Sequence, residues 1–473
     1  MTMKKIHIKS IIIAMVMASA TLTSCSGYLD TLPSDSLVSD DAITSIEDAK
    51  TALNGAYYTL ITNTYYGNDF IARAEVGGDD VQTSAMGKRT ENFYRHMYRQ
   101  NSSPSGLWSI PYKTINRVNV LLKAIESGVI PETEALKQIK GEALTLRALC
   151  HFDLLITYGY PYLKDNGASL GVPLVETVLP ATDLPARTTV AEGYTMVLRD
   201  LNNAKDMVSE KVVNGHINRW AIKSLIARVN LYKGDYDAAY TNAKDVVENG
   251  PYKLIPNDAY VASWGEAFTT EAIFELEITS LASGNRELLG YVANPEGYAA
   301  MIATTDFINL LNEDKNDVRL GLLAKDSEGK KRFINKLPGR DGSVAVNNVK
   351  IVRLSDVYLI AAEAALRKAA IDQTLADKCL NAIVKRASPT ASTVVATKEN
   401  IIKERRKELV MEGHRLYDAL RLGLTISRIG GDHFLNDLDL VSPNWNDYRS
   451  VMAIPQAEID ANPNISKQQN PGY

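Results

Sequence analysis

The chain has 473 residues, 45% of them hydrophobic and 23% charged, and a formal net charge of −4. That length supports a large core, arranged as one big domain or two to three ordinary ones. Lysine and arginine are dispersed with no basic block, which argues against nucleic acid as the partner, and three cysteines are too few for a disulfide framework.

The chain opens with "MTMKKIHIKSIIIAMVMASATLTSC". Lys4, Lys5 and Lys9 precede an apolar run from Ile11 to Leu22, and small residues follow, the layout of a secretory signal. The run is shorter than the roughly 20 residues that span a bilayer. Leu22, Thr23, Ser24 and Cys25 resemble the bacterial lipobox, so residues 1–24 are expected to leave and Cys25 to carry a diacylglycerol. Losing the three lysines takes the net charge to about −7. No other apolar run is long enough to cross a membrane. Cys150 and Cys379 lie in apolar helical patterns and read as small buried hydrophobes, though a bond between them stays open.

Residues 25–44, polar and turn-rich, read as a tether. "SIEDAKTALNGAYYTLIT" then predicts a helix capped by Ser45, with Ala49, Leu53, Ala56, Tyr57 and Leu60 on one stripe. Residues 64–105 show weak periodicity and many Gly, Ser, Asn, Asp and Tyr; an irregular segment of that length is usually functional or mobile. Helices resume at "LWSIPYKTINRVNVLLKAI" and at "EALKQIKGEALTLRALCHFDLLITYG", where Ile139, Ala143, Leu146, Cys150, Leu154 and Tyr158 recur as a buried face requires. A proline-broken connector, "GVPLVETVLPATDLPART", leads to another helix at "TVAEGYTMVLRDLNNAKDMV".

"AIKSLIARVNLYKGDYDAAYTNAKDVVENGPYKL" carries the clearest local signal. Ala227, Gly234, Tyr236, Ala239 and Pro251 fall at the intervals of a tetratricopeptide repeat. "SDVYLIAAEAALRKAAIDQTLADKCLNAIVKRA" reads as a second, looser pair. The expected fold class is therefore mostly α, a tetratricopeptide-like helical-repeat scaffold over 45–473, interrupted by a loop-rich insertion at about 252–345. Within the insertion "EAIFELEIT" has strand character, with imperfect alternation.

The six histidines stand in no metal-binding spacing. The sequence holds no Walker loop, no dinucleotide fingerprint and no nucleophile elbow. Carboxylates are plentiful, so a glycosidase pair stays open, but nothing singles out two of them. "IIKERRKELVMEGHRLYDALRLG" is rich in charge, yet Ile402, Leu409, Gly413, Leu416, Tyr417 and Leu420 form one stripe. The spacings Arg405–Glu408 and Glu412–Arg415 predict ion pairs along a packing helix, with His414 structural. Trp108 and Trp220 sit on helical stripes and read as core. Candidate ligand contacts gather in the two irregular segments: Asp79 and Asp80 in the first, and Trp264, Asn285, Tyr291 and Tyr298 in the second. Aromatic faces stack on sugar rings while carboxylates and amides bond hydroxyls.

Several segments together resemble the SusD/RagB family of outer-membrane lipoproteins of Bacteroidota: "GYLDTLP" after the lipobox, "AKTALNGAYYTL", "IKGEALTLRALCHFDLLITYG", "GVPLV", "IVRLSDVYLIAAEAALRK", "IIKERRKELVMEGHRLYDALRLG" and the ending "IPQAEIDANPNISKQQNPGY". The resemblance runs from Cys25 to Tyr473. It implies a helical scaffold with an irregular ligand-binding subdomain and a lipid anchor in the outer membrane facing the exterior. It also implies a partner, a SusC-type TonB-dependent transporter. Such a protein captures oligosaccharide, or sometimes peptide, and delivers it without catalysis or cofactor. The surface glycosidase is the rival reading, and a helical scaffold that binds only protein is a third. The resemblance carries over scaffold residues; Asp79 and Asp80 follow its "VGG" stretch.

One acyl chain holds a protein on a membrane marginally, whereas two or more hold firmly. Cys25→Ser should therefore move the protein from the membrane to the soluble fraction, checked by fractionation and by mass spectrometry of the mature start. A variant that stays attached contradicts the anchor.

Overall fold

Helix α1 (Ile46–Leu60) starts where its sequence says it should. The Ser45 hydroxyl accepts from the Asp48 N–H at 3.2 Å, and the Asp48 carboxylate accepts from the Ser45 N–H at 3.0 Å, a reciprocal cap. The five stripe residues Ala49, Leu53, Ala56, Tyr57 and Leu60 are all buried. The computed structural model describes residues 42–282, 284–325, 329–428, 433 and 443–473; the signal segment, Cys25 and most of the tether lie outside the described residues. Among the described residues, no helix is long and apolar enough to cross a membrane.

The protein is mostly helical. After α1 and a short α2 (Asp69–Val76), the long helices are α3 (Gly106–Glu126), α4 (Glu134–Tyr158), α5 (Val190–Lys205), α6 (Arg219–Lys233) and α7 (Tyr236–Asn249). Later in the chain come α8 (Leu354–Arg367), α9 (Gln373–Ala387), α10 (Lys398–Leu409) and α11 (Arg415–Arg421). They pack in sequence, α1 on α3, α3 on α4, α4 on α5, α5 on α6 and α6 on α7, and then α7 on α8, α8 on α9 and α8 on α10. Each helix thus buries one face against its predecessor and another against its successor, so a continuous core runs through the row.

Helices α6 and α7 turn at Gly234, whose φ of 85° lies in the left-handed region that a side chain would strain. The Asp235 carboxylate caps α7 by accepting from the Ala238 N–H at 3.2 Å. Small residues keep these helices close: Ala227, Ala239 and Ala243 are fully buried. In α4 the predicted stripe from Ile139 to Tyr158 is buried, but so are most of the other faces. There the charges are matched, as where Arg147 grips Asp200 at 2.7 and 3.0 Å. Cys150 and Cys379 are both buried free thiols, and Trp108 and Trp220 are buried.

Three expectations change. Residues 64–105 are not wholly irregular, because α2 lies within them. Phe70 to Val76 are all buried, and at eight residues α2 is shorter than the roughly 11–18 residue window over which a helical period is read. The strand β2 (Ala272–Leu276) shows no alternation of burial, because Ile273, Phe274, Glu275 and Leu276 are all covered. It pairs antiparallel with the strand Val349–Arg353.

The third change is the charged segment. It is two helices, α10 and α11, broken at 410–414, where Met411 and Gly413 take φ of 65° and 86°. Glu75 of α2 fills the break, accepting the N–H groups of Met411, Gly413 and His414 at 2.8, 2.7 and 3.3 Å. Burial pushes the Glu75 carboxyl up to about 7 against the pull of those donors. Pairs along the helices are Glu404–Lys407 at 2.8 Å and Asp418–Arg421 at 2.7 Å; the residues expected to pair, Arg405, Glu408, Glu412 and Arg415, reach instead to other elements. Arg405 reaches Asp418 at 2.9 Å and Asp356 at 3.0 Å, and Glu412 takes Lys336 at 2.7 Å and Arg353 at 2.8 Å. Glu408, fully buried, meets Arg386 at 2.5 Å, Arg353 at 2.8 Å and Arg319 at 3.1 Å. Buried charges require partners, and those partners come from other elements that converge on this helix.

Burial alone would raise the Glu408 carboxyl, but Arg386, Arg353 and Arg319 hold it well below the usual carboxylate range. Removing one partner of such a buried group typically costs about 3–5 kcal/mol. Glu408→Gln should therefore lower the denaturation free energy by about 3 kcal/mol. Glu176→Gln, which breaks the half-exposed pair with Arg199, should change it by less than about 1 kcal/mol. Equal effects from the two variants would contradict this reading.

Candidate functional site

The two irregular segments are joined by a short antiparallel ladder. Strand β1 (Val81–Thr83) pairs with β3 (Met301–Ala303) in the register Val81 to Ala303, Gln82 to Ile302 and Thr83 to Met301. The ladder continues as the Ser84 N–H donates to the Ala300 carbonyl at 2.9 Å, with the Thr90 hydroxyl on the same carbonyl at 3.1 Å. Beyond it the chains leave the sheet as two loops that face each other.

Their side chains build one surface. Arg89 donates to Glu287 through two bonds of 2.7 Å, and its guanidinium lies 3.7 Å from the centre of the Tyr298 ring. Lys88 donates to the Tyr298 carbonyl at 2.7 Å. Tyr298 meets Tyr291 edge to face at 5.0 Å, and Arg286 lies 5.6 Å from the Tyr291 ring. Both tyrosines are half-buried, while Arg89, Asn285 and Arg286 are exposed. The Asn285 side chain accepts from the Glu287 N–H at 3.1 Å, which shapes the turn that presents Glu287. Chemically this is a pair of aromatic rings ringed by cations, an amide and a carboxylate. Arg89 covers one face of the Tyr298 ring, so stacking on an apolar ring face falls to the sides of the half-buried rings left open, with hydroxyls bonded at the edge.

The structure thus brings together three of the six expected contacts, Asn285, Tyr291 and Tyr298. The other three are placed elsewhere. Asp79 is buried and gives both oxygens to Arg415 at 2.5 and 2.8 Å. Burial would raise its carboxyl, yet Arg415 holds it down at about 2. Asp80, 1% exposed, is gripped by Arg406 through bonds of 2.5, 2.9 and 3.2 Å. These aspartates tie the first loop to α10 and α11, and neither carboxylate is open to a ligand. Trp264 is 7% exposed in a cluster with Ile255, Tyr260 and Leu322. Three cations lie around its ring, Lys336 at 4.4 Å, Lys350 at 5.1 Å and Arg353 at 5.2 Å. Its ring is therefore taken by the protein, and the gap beside it holds only about 30 Å³. The expectation for Asp79, Asp80 and Trp264 as direct contacts is revised accordingly: they underpin the loops.

Sequence reasoning missed Arg89 and Glu287. The signal was available only as opposite charges on two loops of similar character, and no local spacing links residues that far apart. Among the described residues, no group of His, Cys, Asp or Glu could hold a metal ion.

The architecture is thus a helical scaffold that presents an aromatic, loop-borne surface. A family model described as "Starch-binding associating with outer membrane" matches residues 27–231, and the SusD family model matches residues 330–473. A SusD superfamily protein of Bacteroides thetaiotaomicron is 37% identical, with 90% of this chain and 100% of that one aligned at a TM-score of 0.85. A putative sugar binding protein of Bacteroides vulgatus is likewise 37% identical over 91% and 99% of the two chains, at a TM-score of 0.85. A SusD-like protein of Bacteroides ovatus is 25% identical over 94% of this chain and 87% of its own. The chain belongs to the SusD/RagB family.

Proposed function

We propose that the protein is a surface lipoprotein that captures oligosaccharide through the Tyr291–Tyr298 surface and delivers it to a SusC-type TonB-dependent transporter in the outer membrane. The observation that carries this reading is the pair of tyrosine rings, 5.0 Å apart, held at the surface between two loops on a SusD-family scaffold. The name of the Bacteroides vulgatus relative, a putative sugar binding protein, supports a saccharide ligand. Surface glycan-binding protein A of Bacteroides thetaiotaomicron, solved with laminarihexaose, shares the fold at 19% identity and a TM-score of 0.72.

Capture without cleavage is favoured by where the carboxylates stand. A glycosidase needs two carboxyl groups facing one bond. Glu404, Glu408 and Glu412 are buried among Arg319, Arg353, Arg386 and Lys336 and do not face solvent. The lipid on Cys25 and the polar tether of residues 25–44 would hold the capturing surface near the transporter. Two half-buried rings and a few hydrogen bonds, each contributing about 0.5–1.5 kcal/mol net, make a weak site. The transporter would supply its second face.

Calorimetry of the purified protein with neutral oligosaccharides should therefore give low affinity, raised when the transporter is present. Tyr291→Ala combined with Tyr298→Ala should weaken binding at least tenfold while circular dichroism stays helical. A double variant that binds like the parent would remove the ligand from this surface, and hydrolysed product in the incubation would favour an enzyme.

A further inference from the structure

The Tyr298 ring stands on a fixed stretch of backbone. Its N–H donates to the Tyr291 carbonyl at 2.8 Å, and its own carbonyl accepts from Lys88 at 2.7 Å. The next residue, Ala299, takes a φ of 50°, in the left-handed region that a side chain strains. Two neighbours hold it there. The Ala299 N–H donates to the Asn294 carbonyl at 3.2 Å, and the Ala299 carbonyl accepts from the Ser84 hydroxyl. On the other side Gly297 passes so close to Tyr291 that a Cβ there would meet the Tyr291 carbonyl oxygen at 2.0 Å. Strain of this kind, imposed by the surroundings, gathers at ligand-contacting segments.

What lies on that ring is lightly held. The Arg89 guanidinium sits over it at 3.7 Å from the ring centre and reaches Glu287 through two bonds of 2.7 Å. Both partners are open to water, with side chains 46% and 43% exposed. The Arg89 side chain has no other polar partner among the described residues. Its backbone is anchored by the next residue, whose hydroxyl meets the Thr83 hydroxyl at 3.0 Å and the Ala300 carbonyl at 3.1 Å. Only the side chain is therefore free to leave. An exposed ion pair and an exposed cation–π contact are each weak, and salt screens the ion pair.

We propose that Arg89 is a displaceable cover on Tyr298, and that a sugar ring takes its place. The inference rests on the oligosaccharide-capture reading above and adds a regulation of that same site. The two occupants suit the ring for the same reason. A guanidinium is flat and cationic, and the C–H face of a pyranose is broad and weakly positive, so each is attracted to the negative face of an aromatic ring. A separation of 3.7 Å leaves no room for a second layer between ring and guanidinium, so a sugar reaches this face only when Arg89 moves aside. The exchange asks nothing of either loop backbone. Glu287 is the latch, because it holds Arg89 over the ring through a pair that salt weakens. A neutral oligosaccharide should then bind better as salt rises, the opposite of a charged ligand drawn to an opposite charge.

The test is calorimetry of the purified protein with neutral hexasaccharides of glucose, mannose and xylose, at low and at high salt. Whichever of these binds the parent should bind Arg89→Ala about threefold tighter or more, and Glu287→Gln tighter also. Affinity for the parent should rise with salt, while that for Arg89→Ala stays constant. Adding Tyr298→Ala to Arg89→Ala should erase the gain, because that ring is what the cover occupies. Thermal melts of the Arg89 and Glu287 variants should match the parent, since both side chains are open to water. The proposal is overturned if Arg89→Ala binds no tighter than the parent, or if the gain survives the loss of Tyr298. In either case Tyr291→Ala combined with Tyr298→Ala decides the wider reading: weakened binding leaves oligosaccharide capture standing, whereas unchanged binding overturns both. Absence of binding to the parent and to Arg89→Ala alike also overturns both.

Discussion

The buried charges of α10 and α11 are the constraint on which the other elements depend. Glu408 alone draws Arg319, Arg353 and Arg386 to one point, from the short 3-10 helix Val318–Leu322, from the end of the strand Val349–Arg353 and from α9. Glu75 holds open the break between the two helices, and Arg406 and Arg415 hold Asp80 and Asp79. An apolar core would accept several packings of these elements. A buried ion pair accepts far fewer, because a misplaced partner leaves a charge without compensation. The segment that looks most like chemistry in the sequence is therefore the one that fixes geometry.

That arrangement links the scaffold to the proposed ligand surface by a short physical path. Asp79 and Asp80 immediately precede β1, and β1 pairs with β3 below the tyrosine-bearing loop. The loops themselves are tied to each other by Arg89 and Glu287, an exposed pair worth little by itself. Their position is set from below, by the aspartates and the ladder, which leaves the outer side chains free to serve a ligand.

What the sequence reveals here follows what periodicity can carry. The capped helix at Ser45, the stripe from Ile139 to Tyr158 and the turn at Gly234 are local patterns, and the structure has all three. Helix α2 was hidden because its eight residues are too few for a helical period to stand out in a segment rich in turn-forming residues. Charge spacing in "ERRKEL" suggested Arg405–Glu408 along one helix; the pair found along it is Glu404–Lys407, while Arg405 and Glu408 find their partners on other elements. Residue type singled out Tyr291, Tyr298, Trp264 and Asp80 alike; the structure leaves the two tyrosines half-buried at a surface and buries the other two, since an aromatic ring or a carboxylate can face inward as readily as outward.

The central claim is that buried ion pairs between the first loop and α10–α11 position the loops proposed to take the ligand. Hydrogen exchange followed by mass spectrometry on Asp80→Asn tests it most directly, since local opening reports the stability of each segment separately. The account predicts faster exchange in residues 81–101 and 285–303, with helices α3 to α7 exchanging as in the parent. Loop exchange that matches the parent, or an increase spread evenly over the scaffold, would contradict it.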